Sequence, residues 1–214
     1  MINYVVIIGY IILIFIISKI LKGFYPDNQE LLRKIIHIGM GPLIPIAIFL
    51  EIPQTSAQYF AGSISLLIII NYIYRLFPII EDIDRKSFGT FFYSLSLFIL
   101  ITLFWDNDPL ALTAGFFVMT FGDGLAGLLG KNFKSKSWIV FNQRKSIIGT
   151  ITMFLISFIV ISFLGYQGDF NFTFYYFFIA LISTLLEQIS IIGIDNFSVP
   201  IISAVAFNLF LTKT

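Results

Sequence analysis

The chain has 214 residues, 58% of them hydrophobic and 12% charged, with 26 phenylalanines and a mean hydropathy of +0.94. That composition belongs in a bilayer. The absence of cysteine excludes disulfides, thiolate metal sites and a cysteine nucleophile, and a net charge of +1 gives no reason to invoke nucleic acid.

Eight apolar runs follow one another: Ile2–Leu21, Ile35–Leu50, Tyr59–Phe77, Phe91–Trp105, Leu110–Leu129, Ile147–Leu164, Phe172–Ile192 and Phe197–Leu211. The first lacks a charged n-region and a small-residue cleavage site, so it reads as a retained span. Pro42 and Pro45 should bend or break the second. Several runs fall short of the roughly 20 residues that cross a bilayer untilted, which leaves seven spans or a re-entrant piece as alternatives. With no internal repeat or low-complexity linker, residues 1–214 are expected to form a single integral membrane domain. It should be an all-α polytopic bundle of about eight transmembrane helices.

The basic residues alternate between connections. Lys19, Lys22, Arg33 and Lys34 follow the first run, Arg75, Arg85 and Lys86 the third, and Lys131, Lys134, Lys136, Arg144 and Lys145 the fifth. Only Lys213 lies elsewhere, whereas the opposite connections carry Glu51, Asp106, Asp108 and Asp169. The positive-inside rule then puts the basic loops in the cytoplasm and both termini outside, a topology that needs an even number of spans.

The same side collects the residues with chemistry to offer. Arg33, Lys34 and His37 lie at the mouth of the second run, and Glu81, Asp82 and Asp84 lie in the third connection. Asp123, Glu187, Asp195 and Asn196 complete the set. Loop lysines such as Lys134 and Lys136 need no ligand, since charges gather where water is. Asp123 and Glu187 sit inside apolar runs, where a carboxylate is costly, and so point to function.

Asp123 is set among four glycines in Phe121-Gly122-Asp123-Gly124-Leu125-Ala126-Gly127-Leu128-Leu129-Gly130-Lys131, which runs directly into the basic stretch Lys131–Lys145. Glycines can open backbone N–H groups to phosphate, lysines can neutralise it, and a carboxylate can share Mg²⁺ with it. The stretch is neither a G-x-x-x-x-G-K-S/T loop nor a dinucleotide fingerprint in a βαβ context. Gly124, Gly127 and Gly130 are spaced equally well for close helix–helix packing, and both readings stay open. His37 is the only histidine, which rules out a multi-histidine metal site. It shares a helix face with Arg33 and serves either as a structural hydrogen-bonding group or as a catalyst. No Ser-His-Asp arrangement is apparent.

In order, the chain presents Arg33-Lys34-x-x-His37, Lys86-Ser87-x-Gly89-Thr90, Gly122-Asp123-Gly124-Leu125-Ala126-Gly127, Lys145-Ser146-x-x-Gly149-Thr150, Glu187, and Asp195-Asn196-x-x-x-Pro200. Over roughly Arg33 to Pro200 this set resembles the phytol kinase and dolichol kinase family, polytopic enzymes related to the phosphatidate cytidylyltransferases. The resemblance implies CTP as phosphoryl donor and a long-chain isoprenoid alcohol as acceptor. It assigns Asp123 and the surrounding Gly122, Gly124 and Gly127 to the nucleotide and metal site. Lys145, Ser146, Gly149 and Thr150 would contact the triphosphate. Ile148 stands where the family motif carries a glutamate, so Glu187, Asp195 or Asp84 would have to supply that carboxylate, or the donor differs.

Phosphoryl transfer is mostly positioning and charge neutralisation. The expected roles are therefore Asp123 as Mg²⁺ ligand with Asp195 or Asp84 as a second, and Lys131, Lys145 and Lys34 on phosphate, with Arg33 and Asn196 beside them. His37, Asp84 or Glu187 would orient or deprotonate the alcohol. The acceptor's apolar tail would enter laterally from the bilayer. Rival readings are a diacylglycerol kinase, a cytidylyltransferase forming a CDP-lipid, and, from another class, a transporter.

Overall fold

The structure is a computed structural model that describes residues 2–26, 28–74, 88–141, 143–170 and 174–212. Its helices are α1 (Ile2–Phe24), α2 (Gln29–Gly39), α3 (Leu43–Phe49), α4 (Gln54–Tyr74) and α5 (Gly89–Phe104). They continue with α6 (Pro109–Phe117), α7 (Gly124–Asn132), α8 (Ile147–Gln167), α9 (Phe174–Gln188) and α10 (Asp195–Phe207). Five stretches among the described residues are long and apolar enough to span a membrane: Ile2–Phe24, Glu30–Phe49, Gln54–Tyr74, Pro109–Asn132 and Ile147–Gln167. Three shorter apolar helical stretches, Gly89–Phe104, Phe174–Gln188 and Asp195–Leu211, accompany them, so each expected run has a helical counterpart. This is an all-α polytopic membrane architecture.

Local chemistry explains the breaks. The second run divides at Gly39–Leu43, where Pro42 supplies no N–H and begins α3. A Cβ on Gly41 would lie 2.8 Å from the Phe121 ring and 2.9 Å from Thr120 Oγ1, so only glycine lets this bend press on the fifth run. That run is not the uninterrupted helix its hydropathy suggests. It passes from α6 through a π-helical segment, Val118–Asp123, into α7. Asp108 caps α6, accepting from the Ala111 N–H at 3.0 Å, and Pro109 occupies the first turn, where its missing N–H costs nothing. The seventh run ends as helix at Gln188, short of the expected Ile192, and Ile192 and Gly193, with φ values of 55° and 88°, lie in the turn that leads to α10.

One expectation is corrected. The basic stretch after α7 is not an open loop: β1 (Ser137–Val140) and β2 (Gln143–Ser146) form an antiparallel hairpin pairing Ser137 with Ser146 and Val140 with Gln143. The third connection, residues 75–87 with Asp84 and Lys86, lies outside the described residues.

The core is built around α6 and its π-helical continuation, packed against α10, α5 and α8. Leu100, Leu112, Phe116, Met119, Met153, Ile161, Ile179, Val199 and Phe207 are fully buried there. Within a bilayer the drive to associate comes from close packing, and small residues set the approach. Gly115 shows this: a Cβ would strike the Pro200 carbonyl and lie 2.7 Å from the Ala204 Cβ. By contrast, α1 buries only Ile14 and Ser18 and turns its remaining apolar surface outward, as a lipid-facing helix does.

Candidate functional site

Two buried lysine–carboxylate pairs lie at the end of the bundle that carries the basic residues. Lys34, on α2, donates from Nζ to the Asp123 carboxylate at 2.6 Å and to the Asp123 carbonyl at 3.2 Å. Its stem crosses Gly127 of α7, where a Cβ would stand 2.7 Å from Lys34 Cε. On the same face of α2, His37 Nε2 donates to the Met119 carbonyl at 3.1 Å and stands 3.6 Å from Asp123 Oδ2. Tyr93 packs on the imidazole with ring centroids 4.8 Å apart. Arg33 is at the mouth, paired with Glu30 at 2.7 Å, and its charge reaches Asp123 and Asp195.

The second pair joins β2 to α9. Lys145 Nζ donates to the Glu187 carboxylate and, at 2.6 Å, to the Glu187 carbonyl. Gln188 Nε2 donates to the other Glu187 oxygen at 2.6 Å and to Thr150 Oγ1 at 2.9 Å. Ser146 caps α8, its Oγ accepting from the Gly149 N–H at 3.2 Å and donating to the Gly130 carbonyl at 3.3 Å. Between the pairs, Asp195 opens α10, its N–H donating to Ser190 Oγ at 3.1 Å. The charge of Asp195 reaches Asp123, Lys145 and Lys34, which makes the pairs one electrostatic unit. Asn196 donates from Nδ2 to the Gly89 carbonyl at 3.2 Å, and its buried Oδ1 has no partner among the described residues.

Lys34, Asp123, Lys145 and Glu187 are each less than a tenth exposed. A lone buried charge costs several kcal/mol, so each lysine here requires its carboxylate. The cluster holds the cations of Lys34 and Lys145 against the carboxylates of Asp123, Glu187 and Asp195, with the Arg33–Glu30 pair beside them. Among the described residues no group of three or more His, Asp or Glu is close enough to hold a metal by itself. Mg²⁺ rarely uses an all-protein cage, taking one or two carboxylates plus phosphate oxygens. Asp123 and Asp195 are the donor type that such a shared ion requires.

The structure shows what each glycine packs against. Gly122 faces Met153 and Ser157, Gly124 faces Ile38, Gly127 faces Lys34, and Gly130 faces Ser146 and Gly149. The Gly124 N–H is spent on the Phe121 carbonyl. These contacts are those of close packing. Lys131 is exposed in the last turn of α7. Gln188, Tyr93 and Ser190 join the site without any signal in the sequence, since a single amide, phenol or hydroxyl in an apolar chain has no diagnostic spacing.

An all-α polytopic membrane protein with a buried cluster of lysine–carboxylate pairs at one end is what fold and site define together. The chain is 38% identical over 196 residues to a phytol kinase of Synechocystis sp., covering 87% of this chain and 82% of that protein. It is also 29% identical over 203 residues to the chloroplastic phytol kinase 1 of Arabidopsis thaliana, covering 84% and 66%. A probable chloroplastic phytol kinase of Triticum aestivum is 27% identical over 207 residues, covering 86% and 68%. The chain belongs to the phytol kinase family. No family profile and no solved structure matches it.

Proposed function

We propose that the protein is a lipid kinase that transfers the γ-phosphoryl group of CTP to the hydroxyl of an isoprenoid alcohol at the cytoplasmic face of the membrane. Phytol is the acceptor that the relatives' names indicate; geranylgeraniol and polyprenols share its chemistry. The observation that carries the reading is the paired cluster, Lys34 with Asp123 and Lys145 with Glu187, in a chain so similar to phytol kinases. The positive-inside pattern supports the cytoplasmic placement.

Each lysine can exchange its carboxylate for a phosphate oxygen of the donor, and the exchange frees that carboxylate. Lys34, Lys145 and Arg33 would neutralise the charge that develops on the transferred group. Asp123 and Asp195 would hold Mg²⁺, which when bound supplies further neutralisation of the phosphates. Glu187 stands beside the Lys145-Ser146 turn and fits the role of the carboxylate missing at Ile148. His37 donates an Nε2–H hydrogen bond to the Met119 carbonyl and stands 3.6 Å from Asp123. The acceptor proton then falls to a carboxylate that the exchange with phosphate frees, and with Asp123 and Asp195 on the ion that carboxylate is Glu187.

Incubating the purified chain with γ-labelled CTP or ATP and phytol, geranylgeraniol, polyprenol or diacylglycerol tests this reading. CDP and a phosphorylated isoprenoid are the expected products. Pyrophosphate with a CDP-lipid would make it a cytidylyltransferase, and absence of any phosphorylated lipid would remove the kinase reading.

A further inference from the structure

We propose that the β1–β2 hairpin is a docking element for the anionic lipid headgroups of the surrounding bilayer, and that this docking holds Lys145 in register. The register gives the hairpin two unlike faces, because directly paired residues project to the same side. Trp138 pairs with Lys145, whose side chain is buried against Glu187, so this face looks into the site. Ile139 pairs with Arg144 on the opposite face, where Arg144 Nε donates to Ser137 Oγ at 3.1 Å.

That outer face suits neither water nor a helix bundle. Ile139 is 75% exposed, Phe141 at the turn 60%, and Phe133 just before the hairpin 58%. Phe141 holds φ at 45°, a conformation that glycine or asparagine would adopt without strain, so turn geometry does not account for an aromatic ring there. Exposed Lys131, Lys134, Lys136 and Arg144 surround these apolar groups. No acidic residue occurs from Gly124 to Gly168. Apolar side chains beside cations that have no acidic partner among the described residues match the boundary between acyl chains and anionic headgroups. The hairpin joins α7 to α8, which belong to two stretches apolar enough to span a membrane, and β2 continues through Lys145 into the Ser146 cap. Any shift of the hairpin is therefore passed to Lys145.

The full chain in nanodiscs provides the test, in phosphatidylcholine alone or mixed with phosphatidylglycerol. The chain has two tryptophans, Trp105 and Trp138, so the fluorescence that Ile139→Trp adds to a Trp138→Phe background isolates a reporter on the outer face. That signal should be quenched by lipids brominated high in the acyl chain, and more strongly with phosphatidylglycerol present. Lys134→Gln/Lys136→Gln should abolish the dependence on phosphatidylglycerol. In the same discs, lipid phosphorylation by the native chain should rise several-fold with phosphatidylglycerol, and the double variant should lose that rise while keeping its rate in phosphatidylcholine. The fluorescence arm does not require activity, so it stands apart from the kinase reading. An outer-face reporter equally open to aqueous acrylamide in both lipids would overturn the proposal, as would shielding that appears only when a soluble protein is added.

Discussion

Asp123 is the residue on which the site turns, and its ties make its substitution informative. Asp123→Asn leaves Lys34 buried without a countercharge, a loss of about 3–5 kcal/mol. Thermal unfolding in detergent should therefore show a clear drop in Tm for this variant, together with loss of phosphoryl transfer. Full activity at ordinary Mg²⁺ would remove Asp123 from the metal role. Gly127→Ala is a gentler probe: its Cβ meets the far end of the flexible Lys34 side chain, so the fold should be kept. Activity should nevertheless fall about tenfold or more as Lys34 Nζ is pushed off Asp123, which corresponds to about 1.4 kcal/mol or more at the transition state. Asp123 and Glu187 could each be picked from the sequence because a charge in an apolar run is costly, and Lys34 and Lys145 because they stand in the ordered motifs. Their pairing could not, since Lys34 and Asp123 are 89 positions apart and Lys145 and Glu187 are 42 apart. The glycines show the limit from the other side: one spacing serves a phosphate cradle or helix packing, and the neighbours Ile38 and Lys34 are visible only in the fold.

Among the elements, the helices themselves were legible because apolar runs in a bilayer must satisfy their own backbone groups. The break at Pro42 was legible too, as a missing donor in a helix. The π-helical segment Val118–Asp123 was not. An extra residue per turn is chosen by tertiary fit, here the approach of Gly41 to Thr120 and Phe121, and hydropathy carries no trace of it. The hairpin escaped for a similar reason, since two strands of four residues among lysines look like a solvated loop. At the other end of the bundle, Asp108 caps α6 and accepts from Asn208 Nδ2 at 2.7 Å, tying it to the end of the last helical stretch. Asp108→Ala should lower stability by about 1–2 kcal/mol in thermal unfolding. The turnover of the folded fraction should be unchanged, because this joint lies away from the charged cluster.

For the whole molecule, the charge alternation predicts which end faces the cytoplasm. The chain contains no cysteine, so a single engineered one reports its own exposure. Lys134→Cys should react with an impermeant maleimide in inside-out vesicles only, and Asn107→Cys in right-side-out vesicles only. The reverse pattern would invert the proposed topology. The central claim is that the two buried ion pairs are machinery for phosphoryl transfer and not merely internal braces. Phosphorylation of phytol by Lys145→Met/Glu187→Gln tests it most directly, because this pair of substitutions removes both charges together and leaves no unpaired ion in the core. The account predicts a chain that unfolds near the native temperature yet transfers phosphate at least about 100-fold more slowly. A double variant that folds and phosphorylates phytol at the native rate would contradict it.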